Sequence, residues 1–179
     1  SCGTCWAGLE TRIADEDGNA LQAGEIGEIE IRGPIVMAGY WNRPEATAET
    51  IRPDGWLRTG DAGYRDEAGF FFVHDRVKDM IVSGGENVFP AEVENVLGRH
   101  PGVAEIAVIG APHERWGETV KAVVVPAPGA QPTAAELVAF ARERLAHYKC
   151  PTIVEFVPAL PKSSAGKILT RELRGTGPA

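Results

Sequence analysis

Lys167 follows Gly166 in the small polar run Ser163-Ser164-Ala165, where neither burial nor helical periodicity accounts for a lysine. An ammonium on a flexible stem suits an anionic partner, because it can follow charge as it develops on a phosphate. A solvated surface lysine is the other reading of that loop taken alone. Asp61 ends the run Arg58-Thr59-Gly60-Asp61, and a carboxylate beside a glycine can accept hydrogen bonds from ligand hydroxyls or stabilise a turn. Gly84 and Gly85 follow a short apolar strand, Met80 to Val82. Two glycines in succession permit positive φ and let another molecule approach the bare backbone, although a plain β-turn uses the same pair. Cys2 and Cys5 form one C-x-x-C pair without the second pair that structural zinc needs, and His74, His100, His113 and His147 show no ligand spacing. No metal site is expected; a redox pair at Cys2 and Cys5 stays open as an alternative.

The elements that must position these groups change character along the chain. Leu9, Thr11 and Ile13 alternate with Glu10 and Arg12, and Ile29 and Ile31 alternate with Glu28, Glu30 and Arg32, the pattern of half-buried strands. Turn residues Asp15 to Asn19 lie between them, and Gly33-Pro34 ends the second. Gly39 to Thr47 breaks the pattern before a short helical stretch, and its aromatics read as core or loop packing. Trp56 to Asp66 and Phe70 to His74 read as two more strands around the turn Asp66-Glu67-Ala68-Gly69. Beyond this all-β part, Pro90 opens a helix over 90–100 with Val93, Val96 and Leu97 on one stripe. A strand over 103–109, a loop through Trp116-Gly117 and a strand over 120–125 follow. Thr133 with Glu136 makes a capping box for a helix that buries Leu137, Phe140, Ala141 and Leu145.

Length allows one or two domains for 179 residues. With 44% hydrophobic and 24% charged residues the composition is that of a globular protein, and no apolar run is long enough to span a bilayer. The net charge of -7, with 18 scattered Lys and Arg, speaks against nucleic acid as a partner. The first residues lack the basic start and apolar core of a signal peptide, so a cytoplasmic setting is expected.

The stretch from Asp75 to Glu94, Asp-Arg-Val-Lys-Asp-Met-Ile-Val-Ser-Gly-Gly-Glu-Asn-Val-Phe-Pro-Ala-Glu-Val-Glu, resembles the linker motif of the adenylate-forming enzymes, the superfamily of acyl-CoA synthetases, luciferases and peptide-synthetase adenylation domains. Gly55-Trp56-Leu57-Arg58-Thr59-Gly60-Asp61 before it and Pro161-Lys162-Ser163-Ser164-Ala165-Gly166-Lys167 after it match further motifs of that family in the family's order. The wording from Met80 to Asn87 is most similar to fatty-acyl and aryl-CoA ligases. One departure is Thr4-Cys5, where the family often carries Arg-Pro.

The resemblance implies a mixed α and β fold: a small antiparallel β-barrel-like subdomain over 1–75, a hinge over 76–78, an α+β C-terminal domain over 79–173 and a disordered tail over 174–179. It implies an ATP-dependent, AMP-forming acyl-CoA synthetase that turns a carboxylic acid, here a fatty acid, into an acyl-adenylate and then into its CoA thioester. By the same resemblance Lys167 bridges the attacking carboxylate and the α-phosphate, Asp61 and Arg76 hold the ribose, and Lys78 is the hinge residue. Gly84 and Gly85 line the pantetheine channel, with Trp116 against the CoA adenine and Lys149 near the CoA phosphates. For Trp116 a core position, and for Lys149 an exposed surface position, remain equal readings. The family's phosphate loop, its magnesium-handling residues and its acyl pocket belong to an N-terminal domain not found here, so the 179 residues alone are expected to be inactive. A ligase loading a carrier protein and a non-catalytic interaction module are the alternatives.

Overall fold

The computed structural model describes residues 1–174; the tail expected over 174–179 lies, past Arg174, outside the described residues. The chain divides into two compact units, Ser1–Lys78 and Asp79–Ala179.

In the first unit β1 (Glu10–Ala14), β2 (Gly27–Arg32), β3 (Leu57–Arg65) and β4 (Phe71–Arg76) form an antiparallel sheet in the order β1-β2-β3-β4. Gly3 bridges to Phe71 at the β4 edge, and no pairing of β4 onto β1 closes the sheet among the described residues. The alternation along β2 is present, but the face it buries is not the isoleucine face alone. Glu30 has no exposed surface and Glu28 is 8% exposed, whereas Ile29 and Ile31 are half-buried. Ion pairs explain this: Glu30 receives Arg12 and Arg52, each at 2.6 Å, and Glu28 receives Arg58 at 2.9 Å. Trp56 is buried with the guanidinium groups of Arg12 and Arg32 over its ring, at 4.2 and 4.7 Å, where the indole quadrupole attracts both.

Between β2 and β3 the short helix α1 (Pro44–Thr50) begins on a proline whose missing N–H costs nothing there. The turn before it places Trp41 at its corner, 90% exposed, so this aromatic is not part of a core.

The second unit is a sheet of β5 (Ile81–Ser83), β6 (Glu86–Val88), β7 (Val103–His113), β8 (Gly117–Pro126) and β9 (Ile153–Phe156) in the order β6-β5-β8-β7, with β9 parallel to β8. Helices α2 (Pro90–Leu97) and α3 (Ala134–Arg142) contribute Val93, Leu97, Leu137 and Ala141 to a core with Val108, Val120, Ala122 and Val124. Ala107, Ile109 and Val123 alternate with those positions along β7 and β8 and pack with Leu160 and with Leu173 of α4 (Thr170–Arg174). Both faces of β8 are therefore covered, which is why its residues read as a continuous apolar run. The helix expected over 90–100 ends at Leu97, with Gly98 still right-handed at its C-cap, and tightens into turns in which the Arg99 and His100 N–H groups donate to the Val96 and Leu97 carbonyls at 3.2 and 3.0 Å. The capping box of Thr133 and Glu136 is formed.

Candidate functional site

Most of the groups singled out by the sequence stand at three places: a bulge in the first sheet, the β5–β6 hairpin and the turn before α4. In the first unit the pairing of β2 and β3 advances from Glu28↔Ala62 to Glu30↔Arg58. Between those pairs one residue of β2, Ile29, thus faces three of β3, and Thr59, Gly60 and Asp61 bulge from the ladder. Gly60 has φ +75°, a conformation that disfavours other residues. Thr59 Oγ1 donates to the Ile29 carbonyl at 2.7 Å and accepts the Asp61 N–H at 3.1 Å. Asp61 is paired in register with Arg76 on β4, and Arg76 Nε lies 3.0 Å from its Oδ1 while Nη1 donates to the Thr59 carbonyl at 3.3 Å. The resemblance assigns Asp61 and Arg76, from two different motifs, to the ribose, and the sheet pairs the two directly. Beside the pair lies an open depression of about 540 Å³ whose walls include Tyr40, Thr50, Arg58, Thr59, Arg76 and Lys78. Lys78 is exposed, in a 3-10 turn, Val77–Asp79.

In the second unit Gly84 and Gly85 are the two-residue turn of the β5–β6 hairpin, with φ +61° and +89° between the paired Ser83 and Glu86. Positive φ at both positions is the turn that matches strand twist. The Gly84 N–H donates to the Trp116 carbonyl at 3.1 Å, and a side chain at Gly84 would stand 3.5 Å from the indole. Trp116 is 40% exposed, stacked on His113 with ring centres 4.4 Å apart. His113 Nδ1 accepts from the N–H groups of Arg115 and Trp116, at 3.2 and 3.3 Å. A cavity of about 300 Å³ opens here, with Ser83, Gly84, Trp116, Tyr148 and Cys150 among its walls. Burial pushes the Cys150 thiol above its usual range, and Arg142 opposes the shift in part. Lys149 is not on that wall: its Nζ donates to both carboxylate oxygens of Glu92, at 2.9 and 2.7 Å. Neither Tyr148 nor His113 carried a motif that singled it out.

Lys167 closes a tight turn. Ser163 N–H donates to the Lys167 carbonyl at 2.8 Å, Gly166 N–H to the Ser163 carbonyl at 2.9 Å, and Lys167 N–H to Ser163 Oγ at 3.2 Å. Gly166, at φ +78°, supplies the left-handed corner, and Lys162 bridges to Ile168 below it. The backbone of Lys167 is thus held while its side chain is exposed. The glycine before the lysine is a conformational requirement rather than a spacer.

Cys2, Cys5 and Cys150 are free; the thiols of Cys2 and Cys5 donate to the carbonyls of Phe71 and Leu9, at 3.2 and 3.1 Å. No group of three or more His, Cys, Asp or Glu among the described residues could hold a metal ion, and no helix among them is long and apolar enough to cross a membrane.

Residues 92–167 match the family of the AMP-binding enzyme C-terminal domain, and residues 1–41 match the AMP-binding enzyme family. The chain is 50% identical to the fatty acid–[acyl-carrier-protein] ligase ScoC of Streptomyces coeruleorubidus over 97% of its own length and 33% of that protein's. It is 55% identical to the feruloyl-CoA synthase of an Amycolatopsis species over 92% of its length and 33% of that protein's. Crystalline ATP-bound MatB from Rhodopseudomonas palustris superposes with a TM-score of 0.89 and 42% identity, covering 97% of this chain and 35% of MatB. The chain spans about a third of the length of the relatives it matches. Three motifs in order, the fold and these matches agree: the chain belongs to the adenylate-forming, AMP-binding enzymes and corresponds to the C-terminal part of such an enzyme.

Proposed function

We propose that this chain is the part of an ATP-dependent, AMP-forming acid–thiol ligase that holds the nucleotide ribose and supplies the adenylation lysine. The single observation that carries the reading is Lys167, an exposed ammonium on a braced turn inside the matched C-terminal domain. In the first half-reaction a carboxylate oxygen attacks the α-phosphorus of ATP, the bond to pyrophosphate breaks, and an acyl-adenylate results. Lys167 offsets charge on the carboxylate and on the α-phosphoryl oxygens as it shifts during that displacement. Asp61 accepts hydrogen bonds from the ribose hydroxyls, held by Arg76 at 3.0 Å, and Arg76 presents its remaining N–H groups to the same region. In the second half-reaction the CoA thiol attacks the acyl carbonyl and AMP leaves. Gly84 and Gly85 let the pantetheine arm run against bare backbone, and Trp116, half-exposed at the mouth of the cavity, offers a face for the adenine. For Lys149 to meet a CoA phosphate it must leave Glu92. The work throughout is positioning and charge stabilisation, without a covalent enzyme intermediate.

The segment 1–75 then belongs to the larger N-terminal domain, where its sheet completes a barrel-like subdomain. The segment 76–78 is the hinge and 79–173 the moving domain. In this reading magnesium, the triphosphate and the acid are held by that domain's remainder, as the family resemblance implies.

A fatty acid is the proposed substrate, supported by the ScoC likeness, and CoA the proposed acceptor, supported by the feruloyl-CoA synthase likeness. The same two relatives favour a second reading each, a carrier protein as acceptor and an aromatic acid as substrate. Purified full-length enzyme, given ATP with a panel of fatty and aromatic acids and either CoA or acyl-carrier protein, decides among them. Formation of AMP that requires a fatty acid and CoA is expected. No acid-dependent AMP with any acceptor would overturn the assignment.

A further inference from the structure

We propose that Glu28 is a positioning residue of the nucleotide site, fixing the Asp61 carboxylate by filling the bulge of β3; this rests on the reading of Asp61 as the ribose acceptor. Where β3 leaves the ladder, the Gly60 N–H has no strand partner. Glu28 Oε1 receives it at 2.9 Å, and Oε2 receives Arg58 Nε at 2.9 Å. One carboxylate thus clamps two of the three residues before Asp61, and the third, Thr59, braces Asp61 itself by accepting its N–H at Oγ1.

Glu28 is only 8% exposed. A carboxylate so far from water persists only where its oxygens are satisfied, and both are here. Glu30, two residues on and on the same face, shows the contrast: its partners are Arg12 of β1 and Arg52 of the segment between α1 and β3, neither of them a residue of the bulge. Bulges re-aim side chains, and this one aims Asp61 at Arg76. Without the Glu28 clamp, Gly60 is free to rotate and Asp61 loses its fixed place beside the depression that Glu28 also lines.

The full-length enzyme tests this through the ratio of kcat/KM for ATP to that for 2′,3′-dideoxy-ATP, which reads the ribose hydroxyls alone. Glu28→Asp, one methylene short of the Gly60 N–H, should lower that ratio roughly tenfold, the worth of a charge-assisted hydrogen bond. Glu28→Gln, whose amide oxygen still reaches Gly60, should keep most of it. Glu28→Ala gives the same reading should Glu28→Asp fail to fold, and Asp61→Ala should bring the ratio close to one. An unchanged ratio in Asp61→Ala would overturn the ribose reading and the inference with it. Collapse in Asp61→Ala with an unchanged ratio in Glu28→Asp would overturn the positioning role alone. So would a loss in Glu28→Asp that falls equally on both nucleotides.

Discussion

Glu30 shows what one residue can hide in a strand pattern. Its carboxylate has no exposed surface and joins Arg12 and Arg52, which are each 19% exposed. Removing it leaves two guanidinium groups without their partner, so Glu30→Ala should destabilise the first unit by about 3 kcal/mol, the lower end for a broken buried pair because the arginines keep some water. Urea unfolding of the isolated chain, followed by Trp fluorescence, measures it; a change within error would mean that solvent replaces the carboxylate freely. The alternation of Ile29 and Ile31 with Glu28 and Glu30 was legible, and the identity of the more deeply buried face was not. That choice depends on Arg12, Arg52, Arg58 and Trp56, which come from separate segments. Lys149 was opaque for the same reason, since Glu92 lies 57 residues away. Lys167, Asp61 and Arg76 were legible as motifs, but only the sheet register shows Asp61 and Arg76 to be one pair.

The β5–β6 hairpin turns on two left-handed residues, and Gly84 has ordinary room for a side chain beside Trp116. Substitution there should therefore cost backbone strain rather than a clash. Gly84→Val should lose roughly 1–2 kcal/mol by the left-handed penalty, and Gly84→Asn much less, because asparagine tolerates that region. Equal melting temperatures for the two variants would show that the turn changes type instead. Helix α3 supplies a pH test. Hydrogen bonds from the Thr133 backbone first, and then from its hydroxyl, hold the Glu136 carboxyl below its usual range. A folded pKa below the unfolded one gives stability that is complete above the ordinary carboxylate range and lost as pH falls through the folded value. Glu136→Gln should flatten that part of the acid limb in thermal melts recorded from neutral to acid pH, and an unchanged limb would show that the capping box does not contribute to it. This box was readable because its signal spans four residues. Strand β9 was not, because its parallel partner β8 lies some thirty residues earlier and Glu155 interrupts its apolar run. Strand β6, three residues long, is too short to show a period.

At the scale of the molecule, Lys78 ends the first unit. The proposed reaction needs one small domain to offer Lys167 to ATP and then the Gly84-Gly85 turn to the pantetheine thiol. Rotation about a few backbone torsions is the economical exchange. Lys78→Pro, which fixes φ and removes the N–H, should in the full-length enzyme abolish one half-reaction by orders of magnitude and spare the other, while Lys78→Ala is mild. Equal losses in both, with the fold intact by circular dichroism, would place the hinge elsewhere. The 179 residues alone should release no pyrophosphate from ATP and any acid, since the triphosphate cradle and acyl pocket of the proposed enzyme lie outside them. The most direct test of the whole account is Lys167→Ala in the full-length enzyme, with the half-reactions measured apart. Pyrophosphate release from acid and ATP should fall roughly 10²- to 10³-fold, the worth of one preorganised donor at a developing charge, while thioester formation from synthetic acyl-adenylate and CoA stays close to wild type. A thioester step that fell as steeply as pyrophosphate release would contradict it.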